Sequence, residues 1–369
     1  MTVFQATVLL CAGGTGGHLF PAESLAHALR ARGLRVALAT DARVDSIAQD
    51  FPASEIVTIP SATPSGRSLV RRAGALLTLG RGFGEAARQV RRINPAVVVG
   101  FGGYPTVPPM LAAQILRVPT VLHEQNAVMG RANAFLARGA RTICTGFAEV
   151  RGVPAKARAP RIHTGNPLRP AVLEAARTPL PPLGPGDDLR LLVFGGSQGA
   201  RVMSEVVPKA VEQLPADLRA RLSLVQQARA EDLTAVQNAY LSLGLRGIEA
   251  APFFRDLPAR MAGSHLVVAR SGASTVSELA AIGRPAILVP LPGALDQDQA
   301  ANAATLSRID AALAIPQSAF TPDRLTAELV DLLGNPEKLT RAAAAAKSAG
   351  IHDAAERLAA VVVETAART

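Results

Sequence analysis

The chain predicts an α/β protein of two Rossmann-like, doubly wound domains, and three observations carry that expectation. At 369 residues it is longer than single hydrophobic cores usually grow, which favours two domains of ordinary size. Short β-branched runs alternate with helical patterns, as a parallel sheet built from βαβ units requires. Near the middle, residues 169–187 include the run PLPPLGPG at 179–186, which can continue neither helix nor sheet and reads as a semi-rigid linker. The domains are therefore placed at 1–168 and 188–369, with the last helix expected to pack back on the first. Two such halves facing each other across a linker are expected to be separated by a deep cleft, a favoured place for ligands.

In chain order, strands are expected at 6–11, 34–39, 96–99, 120–123 and 141–145, where β-branched or apolar runs end in glycine or polar residues. A helix over 19–32 puts Leu25 and Leu29 on one face and Pro21 in its first turn, where a missing N–H costs nothing. Past the linker the pattern restarts, with strands at 189–194, 222–226, 266–269 and 286–290. Ligands should bind in the loops at the carboxyl ends of these strands.

Composition narrows the classes. Apolar residues make up 49% and charged residues 18%, so a core can form, but aromatics are only 4% and tryptophan is absent. Two tyrosines and no tryptophan offer little for base stacking, which disfavours nucleic acid as a partner. Cys11 and Cys144 lie far apart in apolar segments and read as buried thiols of a reducing compartment. Neither a signal peptide nor a spanning helix is expected. The net charge of +10 is uneven: residues 1–168 hold 19 Lys and Arg against 8 Asp and Glu, and the remainder 20 against 21. Such asymmetry points the first half at a polyanion, either nucleic acid or anionic lipid headgroups.

Three strand-to-helix loops carry the candidate chemistry. Gly13-Gly-Thr-Gly-Gly-His18 can bring backbone N–H groups and a helix dipole to an anion, with Asp41 near the distance of a ribose contact. Leu19 stands where the dinucleotide fingerprint has its third glycine, which disfavours a nicotinamide enzyme. Gly195-Gly-Ser-Gln-Gly199 repeats the device in the second half, with Ser197 and Gln198 as added donors. At 270–278, RSGASTVSE, Ser274 or Thr275 is expected to cap a helix, with Glu278 in its first turn. There the dipole favours a diphosphate and a carboxylate can accept from two ribose hydroxyls. Taken singly, each loop is also what a tight structural turn or a helix start looks like.

The loop GGTGGH at 13–18 occurs together with GGYP at 102–105, HEQN at 123–126, TGNPLR at 164–169, GGSQGA at 195–200 and the 270–278 segment. In that order the six motifs resemble the MurG-type UDP-N-acetylglucosamine:N-acetylmuramyl-(pentapeptide) pyrophosphoryl-undecaprenol N-acetylglucosamine transferases. The resemblance runs through most of the chain. It implies a GT-B architecture, the donor UDP-GlcNAc held mainly by the second domain, the lipid-linked acceptor lipid I held by the first, and lipid II as product. It also implies an inverting enzyme that needs no nicotinamide cofactor, and no metal-binding cluster is evident in the sequence.

Carried over residue by residue, the resemblance makes Glu278 the ribose ligand, Ser197 and Gln198 diphosphate contacts, and Phe253 with Phe254 the segment along uracil. Ala273, Ser274, Thr275 and Gln299 fall to the donor as well, as do Asn126 and Arg169 and, in the first loop, Thr15, Gly16 and Gly17. Gly14, His18, Tyr104, His123 and Glu124 fall to the acceptor. Asp298 stands where the family commonly has an amide or imidazole, and Gln226 or Gln227 where a histidine is often found.

The acceptor 4-hydroxyl must lose a proton as it attacks, and a neutral imidazole suits that task near pH 7, which makes His18 the candidate base. Its rival role is to orient the acceptor diphosphate. The basic segment 67–92 interleaves Arg71, Arg72, Arg81, Arg88, Arg91 and Arg92 with Leu69, Val70, Leu76, Leu77, Leu79 and Phe83. It fits a surface lying on anionic lipid at the cytoplasmic face of the cell membrane, or else an ordinary helix whose apolar stripe faces the core. The rival functions are a UDP-N-acetylglucosamine 2-epimerase-like enzyme and a non-catalytic nucleotide-binding protein.

Overall fold

The computed structural model describes residues 6–13, 16–41, 51–61, 69–184, 186–196, 199–293 and 298–367, with the backbone alone at 16, 69–77 and 79. The chain divides into two compact units, the first formed by Met1–Arg169 with Asp353–Thr369 and the second by Pro170–His352.

The first unit runs β1 (Thr7–Cys11), α1 (Gly16–Ala31), β2 (Arg35–Thr40), β3 (Glu55–Thr58), α2 (Leu69–Ile93), β4 (Val97–Gly100), α3 (Val107–Ile115), β5 (Thr120–Glu124), α4 (Arg131–Leu136), β6 (Thr142–Thr145) and β7 (Arg161–His163). Among the described residues the strands form one parallel sheet ordered β3-β2-β1-β4-β5-β6-β7. The order reverses between β1 and β4, the switch point at which open α/β sheets bind ligands.

Strand alternation sends Val8 and Leu10 to one face, where they meet Leu19, Leu25 and Leu29 of α1. Leu9 and Cys11 go to the other, against Ala86, Ala87 and Val90 of α2 and Met110 of α3. Both thiols are free and buried, on opposite faces of the sheet, and burial pushes that of Cys144 up to about 12.

The second unit opens with α5 (Pro170–Ala175) and continues β8 (Leu189–Phe194), α6 (Arg201–Glu212), α7 (Ala216–Arg221), β9 (Leu222–Gln227), α8 (Leu233–Leu241), β10 (Gly247–Ala251), α9 (Leu257–Ala262), β11 (Leu266–Ala269), α10 (Ala273–Ile282), β12 (Ala286–Leu288), α11 (Asp298–Ser307), β13 (Ala312–Ala314), α12 (Pro322–Leu333) and α13 (Pro336–Ser348). Its sheet, ordered β10-β9-β8-β11-β12-β13, repeats the topology of the first, with the switch between β8 and β11. The last helix, α14 (Ala354–Ala367), belongs to the first unit, where Leu358, Ala359 and Val362 share a core with α1.

Two local expectations are corrected. The proline-rich stretch begins with a helix, α5, because Pro170 can occupy its first position and Val172 and Ala175 find burial. Helix α1 starts at Gly16, so Pro21 lies in its second turn rather than its first and position 21 has no N–H for the Gly17 carbonyl. In the described part of α2 the half-buried Phe83 packs against the core beside Ala86, Ala87 and Val90. The side chains of Leu69, Val70, Leu76, Leu77 and Leu79, and the whole of Arg67, lie outside the described residues. Among the described residues no helix is long and apolar enough to cross a membrane.

Candidate active site

The switch point of the first unit is built by glycines that let loops approach. A Cβ on Gly13 would come within 3.0 Å of the Pro105 side chain. After β4, Gly102 and Gly103 take φ values of +89° and +78°, and a Cβ on Gly103 would lie 3.4 Å from the His18 ring. His18, half-buried in the first turn of α1, is thus backed by the main chain of the GGYP loop, from which Tyr104 starts a short 3₁₀ turn. Thr106 closes that turn by donating its hydroxyl to the Gly103 carbonyl at 2.8 Å.

The HEQN loop supplies the polar floor. Gln125 donates Nε2–H to the Phe101 carbonyl at 2.8 Å, and its Oε1 lies 3.3 Å from His18 Nδ1. From the TGNPLR loop, Asn166 donates to the Gln125 carbonyl at 3.0 Å. His123 Nε2–H reaches the Gly165 carbonyl, also at 3.0 Å. Four motifs far apart in sequence therefore meet around one imidazole.

His123 and Glu124 do not present themselves to a ligand. His123 is 0% exposed and burial pushes its pKa down to about 4, so it is a neutral brace between loops rather than an acceptor contact. Glu124, 2% exposed, accepts from the Asn126 and Gly130 main-chain N–H groups at 2.9 and 3.0 Å and from the Asn133 amide at 2.8 Å. Burial raises its pKa against those hydrogen bonds. Its carboxylate shapes the loop that carries Asn126, whose side-chain amide also leans on Glu124 at 3.4 Å. Arg169 stacks its guanidinium 4.5 Å over the Phe20 ring of α1. Asp41, 5% exposed, follows β2 beside Gly13 and has no open face for a ribose. Gly14 and Thr15 lie outside the described residues, whereas Gly16 and Gly17 form the first turn of α1.

In the second unit the loop after β8 turns so tightly that a Cβ on Gly195 would fall 2.3 Å from the Ala200 nitrogen, and Gly196 and Gly199 take φ of +90° and +69°. Ser197 and Gln198 lie outside the described residues. Gln227, ending β9, accepts from Gly195 N–H at 3.0 Å and donates to the carbonyls of Gly196 at 2.9 Å and Pro252 at 3.2 Å. One amide thus ties the glycine loop to the segment that leads into Phe253 and Phe254. Phe253 is 64% exposed, but Phe254 is 7% exposed under the Arg260 guanidinium, 4.3 Å from its ring centre. Of the two rings, that of Phe253 is open and that of Phe254 is covered.

After β11 the chain enters α10 through Gly272, an N-cap in extended conformation without a side-chain cap. Ser274 and Thr275 are therefore inside the first turn instead of capping it, and Glu278 falls in the second turn, 7% exposed. Glycine at the cap leaves the N–H groups of Ala273, Ser274 and Thr275 without intrahelical partners, which is what an anion needs. Ser271 donates to the Gln299 carbonyl at 2.8 Å, and the Gln299 side-chain oxygen accepts from Leu291 N–H at 3.0 Å, so the start of α11 is held against that of α10. Asp298 accepts from the Gln299 N–H at 2.8 Å and acts as a local cap. Gln226, fully buried, receives the Tyr240 hydroxyl and donates to the Met203 carbonyl of α6 at 3.4 Å.

Two Rossmann-type sheets, each with a glycine-rich loop and a helix N-terminus at its switch point, and an oriented imidazole over one of them, define the class of nucleotide-dependent group-transfer enzymes. Residues 8–145 match the glycosyltransferase family 28 N-terminal domain, and residues 190–358 its C-terminal domain. A UDP-N-acetylglucosamine--N-acetylmuramyl-(pentapeptide) pyrophosphoryl-undecaprenol N-acetylglucosamine transferase of Methylobacterium radiotolerans is 81% identical over the whole of both chains. One of the same description from Rhodopseudomonas palustris is 54% identical over 97% of this chain and 96% of its own. The crystal structure of Acinetobacter baumannii MurG superposes with a TM-score of 0.77 at 30% identity, covering 97% of this chain and 99% of that one. The chain belongs to glycosyltransferase family 28, within the family of these N-acetylglucosaminyltransferases, and its two Rossmann-like domains are those of the GT-B class.

Gln125, to which motif reading gave no role, and Gln227, noted only as standing where a histidine is often found, are the amides that join the loops of the two sites. Each is an amide beside a residue already singled out, and its role comes from reaching two loops at once, which linear spacing does not display.

Proposed function

We propose that this chain moves N-acetylglucosamine from UDP-GlcNAc to the 4-hydroxyl of the N-acetylmuramic acid of lipid I, with inversion, giving lipid II and UDP in peptidoglycan synthesis. The observation that carries the reading is family membership along the full chain, joined to an imidazole whose Nδ1 is held by Gln125. The second unit takes the donor, with the Gly195–Gly199 loop and the α10 N-terminus at the diphosphate, Glu278 at the ribose and Phe253 along the uracil. The first unit takes the acceptor near His18 and Tyr104.

In the reaction the acceptor oxygen bonds to the anomeric carbon from the face opposite UDP, its proton passes to His18 Nε2, and the carbon–oxygen bond to UDP breaks. The departing diphosphate gains charge that main-chain N–H groups and the helix dipole stabilise. His18→Ala is expected to lower turnover by about 10²–10⁴-fold while leaving UDP affinity nearly intact; unchanged turnover removes the role.

With purified protein, UDP-GlcNAc and a short-chain lipid I analogue, UDP release should depend on the acceptor and yield a disaccharide-lipid. Acceptor-independent turnover would instead favour an epimerase, and tight UDP binding without turnover a binding protein. The protein works as a peripheral enzyme at the cytoplasmic face, a reading supported by the charge excess of its first half and by Arg81, Arg88, Arg91 and Arg92, all exposed on α2. Two of these four are engaged, Arg88 with Glu85 and Arg92 with Glu55. Charge reversal at Arg71, Arg72 and Arg81 should release the protein from anionic vesicles at moderate salt; unaltered flotation discards the membrane surface.

A further inference from the structure

We infer that Gln125 is a positioning residue that sets the tautomer of His18, placing the proton on Nδ1 and leaving the Nε2 lone pair for the acceptor hydroxyl. The inference rests on His18 being the base of the proposed transfer. An amide can face an imidazole with either end, and which end it presents follows from its other bonds. Here the other bond is unambiguous, because a carbonyl accepts only: the 2.8 Å contact to the Phe101 carbonyl must be made by the NH₂ group. Oε1 is then the end that faces His18, 3.3 Å from Nδ1, and as an acceptor it calls for Nδ1–H. Among the described residues no hydrogen bond is made by Nε2.

The anchor is itself anchored. Phe101 N–H donates to the Cys11 carbonyl at 3.0 Å, joining the two strand ends of the switch point. The Gln125 carbonyl receives the Asn166 amide, and Gln125 is only 3% exposed. Rotation of the side-chain amide would set its carbonyl against the Phe101 carbonyl and lose that bond in a buried place. A Cβ on Gly103 would lie 3.4 Å from the Cδ2 and Nε2 atoms of the His18 ring, so the glycine leaves that side of the ring uncrowded. In free solution neutral histidine prefers the Nε2–H form, which has its lone pair on the wrong nitrogen for this task; the Gln125 contact reverses that preference.

Long-range ¹H–¹⁵N spectra of protein labelled with [¹⁵N]histidine read the tautomer directly, with the His18 signals assigned by their loss in His18→Ala. The wild-type protein should show Nδ1–H above pH 8. Gln125→Leu should move His18 toward Nε2–H and lower kcat by about tenfold with the KM for UDP-GlcNAc unchanged. Gln125→Glu, whose carboxylate also accepts from Nδ1, should keep the tautomer. A wild-type His18 in the Nε2–H form overturns the proposal, as does an unaltered tautomer in Gln125→Leu; if that variant fails to fold, the wild-type spectrum decides. Full turnover in His18→Ala together with an Nδ1–H ring would remove the base and leave the tautomer assignment standing.

Discussion

Burial separates residues that share one motif. In the HEQN loop His123 and Gln125 point into the fold, Glu124 folds back on the loop, and only Asn126 remains half-open. His123 makes this measurable. Its pKa lies near 4 in the folded chain against an ordinary 6.5. Below 6.5 the unfolded chain takes up a proton that the folded chain refuses, so this group makes stability fall as pH drops from 6.5 to about 4, by about 3 kcal/mol in all. Urea midpoints over that window should decline less in His123→Gln, whose amide can still donate to Gly165. An equal decline would assign the acid sensitivity elsewhere. The same separation applies to the aromatic pair, where Phe254 is covered by Arg260 and Phe253 is not.

At the scale of elements, the two ends of α10 are held differently. Its N-terminus is left uncapped, whereas its C-terminus ends on Gly283 at φ +73° and is then gripped by the next residue. The Arg284 guanidinium, 1% exposed, donates to carbonyls of Ile282, Gly283 and Ala262 and to those of Thr178 and Pro179. None of these partners is a carboxylate, and burial lowers its pKa to about 10. Cation and helix C-terminus attract. Arg284→Met should lower the stability of the second unit by about 2–4 kcal/mol, since several buried carbonyls lose their donor at once. A change below about 0.5 kcal/mol in chemical denaturation would remove this role.

Elements were unequally legible. The central strands stand out as apolar runs because both their faces are covered. The strands that composition did not mark, β3, β7, β10 and β13, are the outer strands of the two sheets among the described residues, partly or wholly open to solvent, with sequences such as Arg-Ile-His and Gly-Ile-Glu-Ala-Ala. An edge strand is defined by its neighbour's hydrogen bonds, which no local pattern encodes.

On the scale of the whole molecule, the chain completes its first unit with its last helix. Leu358 and Val362, both 0% exposed, cover the α1 face that carries Leu25 and Leu29. Deleting 353–369 should therefore strip hydrogen-exchange protection from α1 and β1 while α6 and α12 keep theirs, because a buried leucine alone is worth about 2–5 kcal/mol. Loss confined to the second unit would contradict that assignment. The charge asymmetry of the two halves belongs to this scale too, as a field acting on partners and not on the fold.

What the sequence determined by itself is what local chemistry and period encode: alternating elements, glycine loops at strand ends, an imidazole at a helix start, a basic first half. Only the tertiary structure decided which members of each motif are open, which amide holds His18, where α10 begins and which unit owns the last helix. The physical reason is that a hydrogen bond to a carbonyl 24 residues away, as from Gln125 to Phe101, or burial under a guanidinium, depends on where the backbone travels. Spacing along the chain carries no record of that path.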